Sequence, residues 1–212
     1  MESQTQANLN LRDELEAARK LLKYNQKGGM VALDNIYRQG VVPNPLLHGR
    51  YWGEFLTANF NPVVDSWLDI VTKFWLPWQG KVFDANTNTG DNIFTNDGLL
   101  LGKIIWPFYE RYIPDTRGRS LAFSFHSSIS QSLLEPDIEV LSLNFNLPEN
   151  PRFLIRDLVD QLVQIDENLY LGKAILKHPN GGWFCAAYFT LKSGLVADNY
   201  SDSQLSEVQV IF

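Results

Sequence analysis

Leu46-Leu47-His48-Gly49-Arg50-Tyr51-Trp52-Gly53-Glu54-Phe55, answered further along by Trp78-Gln79-Gly80-Lys81-Val82-Phe83, decides the fold. Both stretches alternate small, aromatic and polar residues with the two-residue period of a strand. Each carries glycine where a backbone must bend or pass closely. Together they read as parts of a barrel-like sheet with an aromatic interior.

On the N-terminal side, Leu11, Leu15, Ala18 and Leu22 recur at helical spacing among charged residues, and Gly28-Gly29 follows. That predicts an amphipathic helix over 9–26 lying across the outside of the domain. A short helix over Met30 to Arg38 comes next, and Gly40, Pro43 and Pro45 then force an extended entry into the first strand. Beyond it, Asn61-Pro62 and the apolar series Val63, Val64, Trp67, Leu68, Val71, Phe74 and Trp75 predict a helix ended by Pro77. Gly80 to Asp84 reads as a strand, Asn86 to Asn92 as a turn, and Ile93-Phe94 as the resumed sheet. From Gly98 to Tyr112 apolar residues fill nearly every face, which fits helix or strand; a buried helix kinked at Pro107 is preferred.

Strands are expected at Leu121 to Ser127, Ile138 to Leu147, Asn168 to Lys177 and Trp183 to Lys192, the last two joined as a hairpin through Pro179-Asn180-Gly181-Gly182. Pro151 to Asp160 stays open between strand and helix. The expected organisation is a helical arm over 1–40, a barrel domain over 41–192 and a Ser-rich, acidic tail over 193–212.

The chain has 212 residues, 45% of them hydrophobic, which is enough for a substantial core. Its net charge of -6 and lack of a sustained Lys/Arg patch argue against nucleic acid as a partner. Neither a secretion signal nor a run of membrane-spanning length stands out, so a cytoplasmic protein without an integral membrane segment is expected. Cys185 has only apolar neighbours and no cysteine to pair with, and reads as a small core residue.

Gly49-Arg50-Tyr51-Trp52-Gly53-Glu54, preceded by Leu33-Asp34-Asn35-Ile36-Tyr37 and followed by Trp78-Gln79-Gly80-Lys81-Val82-Phe83, resembles the small bacterial GXWXG domain. Val163 to Lys173 and the final aromatic strand resemble the companion domain of unknown function that commonly follows it. Tyr51 stands at the motif's tryptophan position, with Trp52 beside it. The resemblance implies a lipocalin-like antiparallel barrel or half-barrel. The overall class expected is thus α+β, mainly antiparallel β, with an N-terminal helix and one or two inserted helices. The family brings no catalytic residue to carry over.

Candidate chemistry is sparse. His48, His126 and His178 are far apart and lack metal-site spacing, so no metal is expected. Alternation in Leu121 to Ser127 puts Ser124 and His126 opposite Phe123 and Phe125. An inward polar face would make His126 a proton donor or acceptor; an outward, solvated face is the preferred reading. Ser142, Asn144 and Asn146 likewise share one face, from which Asn144 could orient a ligand. Glu54, Asp84 and Asp91 lie near the aromatic strands as candidate general acids or bases, with turn formation the competing role for Asp91. No phosphate loop, nucleophile elbow or dinucleotide fingerprint is present, and nothing points to a cofactor.

Six tryptophans and the clustering of Tyr51, Trp52, Trp75, Trp78 and Phe83 suit an apolar pocket, to which Phe94, Ser124, Asn144, Tyr170, Trp183 and Tyr188 are added as candidate ligand contacts. The expectation is a cytosolic barrel binding a hydrophobic small molecule such as a lipid, terpenoid, polyketide or pigment. One alternative is a cofactor-independent cyclase, isomerase or hydratase using His126 or a carboxylate. Another is an interaction module whose N-terminal helix docks a partner or a second copy, giving a homo-oligomer. A titratable side chain facing the cavity would separate enzyme from binder.

Overall fold

A computed structural model describes residues 2–44, 46–59, 77–178 and 180–193. Its strands are β1 (Gly49–Ala58), β2 (Trp78–Asp84), β3 (Thr89–Thr95), β4 (Ile113–Asp115), β5 (Arg119–Gln131), β6 (Glu139–Asn144), β7 (Leu158–Asp166), β8 (Leu169–Lys177) and β9 (Trp183–Ser193). Every pairing is antiparallel, and β9 returns to β1. The first half of β5 pairs with β3 and its second half with β6, which closes the ring. Eight strands, β1–β3 and β5–β9, therefore form a closed barrel, while β4 extends the edge of β5. Closure leaves the long strands no open edge.

Along β7 the two-residue period sends Leu158, Asp160 and Leu162 inward and Val163 and Ile165 outward. The outward set is apolar because two helices cover it: α1 (Glu2–Leu22) and α2 (Gln26–Gln39). Leu11, Leu15 and Ala18 of α1 and Leu33, Ile36 and Tyr37 of α2 pack on Val163, Ile165, Leu169, Leu171 and Tyr188. Burying residues such as Leu15, Leu33 and Ile36 stabilises by about 1.5–3 kcal/mol each. The described apolar face of α1 is thus used within its own chain.

The helix expected to close at Gly28-Gly29 ends earlier. Asn25 caps α2, its Oδ1 accepting from the Gly28 amide at 3.0 Å, so the two glycines lie inside the second helix. Gly29 is there for contact, since a Cβ would fall 2.6 Å from the Leu22 side chain of α1. The ambiguous segment resolves into α3 (Asn96–Ile105), capped at Trp106. Pro107 ends this helix rather than kinking it, because the residue before a proline is pushed out of helical geometry. The turn expected over 86–92 is shorter, as Thr89 already belongs to β3. The open stretch before Asp160 becomes a 3-10 turn, Ile155–Asp157, leading into β7. The expected helix after Asn61 and the tail from 194 onward lie outside the described residues.

Glycines make room for rings inside the barrel. A Cβ on Gly53, Gly90 or Gly172 would lie within 2.4 Å of the rings of Trp78, Phe125 and Phe189 respectively. The glycine-aromatic strand is therefore a packing device: Gly53 of β1 is the floor on which Trp78 of β2 rests.

Candidate functional site

Tyr51, Phe83, Phe125 and Phe145 run edge-to-face through the interior, with neighbouring ring centroids 5.2–5.5 Å apart. Small side chains at Ala174 and Ala187 leave a narrow cavity that opens to the surface. Trp78, Phe94, Phe123, Phe145 and Phe189 give its wall an aromatic face, and Ile155 and Leu158 add aliphatic surface. Phe55, 37% exposed, marks where it reaches the surface.

Two charges sit in this aromatic chamber. Lys81, 1% exposed, places Nζ 2.6 Å from Oδ2 of Asp160, itself 6% exposed at the side chain. Nζ also donates to Asn92 Oδ1 at 2.6 Å and lies 5.0–5.6 Å from the ring centroids of Phe145, Phe125, Trp78 and Phe189. Asn92 Oδ1 accepts from Trp78 Nε1 as well, at 3.1 Å, and Asn92 Nδ2 donates to the Phe123 carbonyl at 3.0 Å. Asp160 Oδ1 is buried and has no hydrogen-bond partner among the described residues. Burial lowers the pKa of Lys81 and raises that of Asp160, with each partner's charge opposing the shift.

Two bulges build this arrangement. The register of β2 shifts between Trp78 and Gly80, where Gly80 has φ +138° and passes so close to the Tyr51 carbonyl that a Cβ would clash at 2.1 Å. The shift lets Trp78 and Lys81, three residues apart, both face inward. In β5, Phe123 adopts φ +55° opposite a register shift in β3. Its amide donates to Tyr109 Oη at 2.8 Å and its carbonyl takes the Asn92 bond, so two buried hydrogen bonds hold the strained residue.

Of the residues expected at the site, Trp78 and Phe94 line the cavity. Tyr51, Phe83 and Tyr170 belong to the same interior cluster at other levels. Trp52 does not line it; Arg50 and Arg119 lie over its ring at 5.4 and 4.3 Å. Tyr188 is on the helix-covered side, donating to Asp34 at 2.7 Å. Trp183 and Asn144 are outside the cavity lining, Asn144 being exposed at the end of β6. Trp75 lies outside the described residues.

The proton-transfer candidates are equally dispersed. His126 is exposed, as the preferred reading of its strand face holds. Ser124 donates to Asp91 at 2.7 Å across β5 and β3, and neither lines the cavity. Glu54 pairs with Arg19 of α1 at 2.7 Å. Asp84 accepts bonds from Asn86 and Thr87 in its own turn, which hold its carboxyl below the usual range. Among the described residues no group of three or more His, Cys, Asp and Glu is placed to hold a metal ion, and no helix is long and apolar enough to cross a membrane.

A second buried lysine lies outside the barrel wall. Lys173 of β8 places Nζ 2.6 Å from both Asp34 of α2 and Glu135. It also sits 4.4 Å from the Tyr37 ring centroid, and Ser132 Oγ completes the cluster with a 2.9 Å bond to Glu135. Cys185 is buried in the same apolar cluster as Tyr37 and Tyr188, and burial pushes its thiol up to about 12, so it is a poor nucleophile at neutral pH. These groups tie α2 to the barrel.

No family model matches the chain, and no curated protein does. A crystal structure of a protein from Thermomonospora curvata is similar over 83% of this chain and 97% of its own, at 12% sequence identity and a TM-score of 0.42.

Proposed function

We propose that the barrel binds an apolar small molecule, in the range of a lipid, terpenoid, polyketide or pigment, within the chamber around Trp78. The supporting observation is a cavity with aromatic walls and one buried charged pair, Lys81 and Asp160, the combination of apolar surface and a few polar anchors that ligand sites use. An acid/base reaction in this cavity would fall to Asp160 and Lys81, because His126, Asp84, Asp91 and Glu54 do not line it.

Titrating such apolar compounds into the protein should change its tryptophan fluorescence, and Trp78→Phe should remove most of that change while calorimetry still detects binding. No response from any class of compound, or an equal response in Trp78→Phe, would count against this chamber as the site.

A further inference from the structure

The polar inventory of the cavity is one-sided. Trp78 Nε1 and Asn92 Nδ2 each have an acceptor within 3.1 Å. Of the three Lys81 donors, Asp160 Oδ2 and Asn92 Oδ1 take two, and the aromatic faces around Nζ surround the rest of the ammonium. The unmatched polar atom on these side chains, among the described residues, is an acceptor: Asp160 Oδ1. It belongs to a side chain more than nine-tenths buried that lines the cavity.

Resting on the binding function proposed above, we propose that the ligand is an uncharged, ring-bearing molecule whose polar group is a hydrogen-bond donor, an O–H or N–H that lands on Asp160 Oδ1. An anionic lipid or carboxylate fits poorly. It would have to draw Lys81 away from Asp160, leaving that carboxylate buried without its counter-charge. An ammonium ligand meets Lys81 Nζ close by. With the shared proton between Nζ and Oδ2, whether the amine or the carboxyl carries it, Oδ1 keeps its lone pairs and accepts.

Three probes with one aromatic body separate the cases: 2-naphthol, an un-ionised donor at pH 7; 2-methoxynaphthalene, an acceptor only; and 2-naphthoate, an anion. Calorimetric titration should find 2-naphthol tighter than either of the others by about tenfold or more, the effect of one hydrogen bond to a buried carboxylate. In Lys81→Met/Asp160→Leu, where the Asp160 acceptor is gone and Asn92 Oδ1 keeps its bond from Trp78 Nε1, most of the advantage of 2-naphthol over 2-methoxynaphthalene should disappear. Equal binding of all three to the wild type, or strongest binding of 2-naphthoate, would overturn the donor assignment and leave the binding function standing. Failure of all three to bind would overturn both.

Discussion

Lys81→Met should destabilise the fold by about 3–5 kcal/mol, and adding Asp160→Leu should return most or all of that loss. The single change strands the Asp160 carboxylate among aromatic rings, with its Oδ1 already unmatched. The double change replaces an ion pair with apolar volume in a site whose walls are apolar. Burial raises Asp160 and lowers Lys81, so the pair is carried at neutral pH against the local dielectric. A raised carboxyl favours the folded state most below its unfolded value, and that advantage is lost as pH rises through the folded value. A lowered lysine is most favourable above its own unfolded value, and that advantage is lost as pH falls.

Lys81→Met should therefore lose less relative to the wild type near pH 4 than at pH 7. Urea midpoints at the two pH values, compared for both single variants and the double variant, check this. A double variant as unstable as Lys81→Met would show that the pair stabilises the barrel, and would weaken the argument that it is there for a ligand.

Lys173→Met should cost a similar 3–5 kcal/mol, through a different part of the molecule. Lys173 faces two carboxylates, and its loss leaves Glu135, 7% exposed, with Ser132 alone to satisfy it. Because Asp34 lies on α2, the damage should concentrate at the helix-barrel seam. Amide exchange should accelerate in α2 before it does in β2 or β3. Uniform acceleration across the barrel would contradict the view of Lys173 as the pin that holds α2.

The barrel was legible because its signals are local. Glycine and aromatic residues alternate in β1 and β2, and β8 and β9 announce themselves as an apolar hairpin. The exposed placement of His126 likewise agrees with the preferred reading of its strand. The charged pair was harder to see, because each member sits where a local signal misleads. Strict alternation counted from Trp78 turns Lys81 outward; only the bulge at Gly80 brings both inside, whereas counting back from Phe83 would have placed Lys81 correctly. Asp160 falls in the stretch left open between helix and strand, although Leu158 and Leu162 flank it at the inward period and mark it as a charge on an apolar face. Tyr188 misled in the opposite way: β9 is apolar on both faces because helices cover its outside, so aromatic content there did not signal the cavity.

The claim that the chamber holds a ligand is tested most directly by filling it. Ala187 is 1% exposed and lines the cavity, and Ala187→Leu adds volume there at a cost of about 1–3 kcal/mol, which circular dichroism and a urea midpoint can show the fold survives. Calorimetric titration of 2-naphthol should give a binding isotherm with the wild type and none with Ala187→Leu. Unchanged affinity in the filled variant would place binding elsewhere and contradict the account.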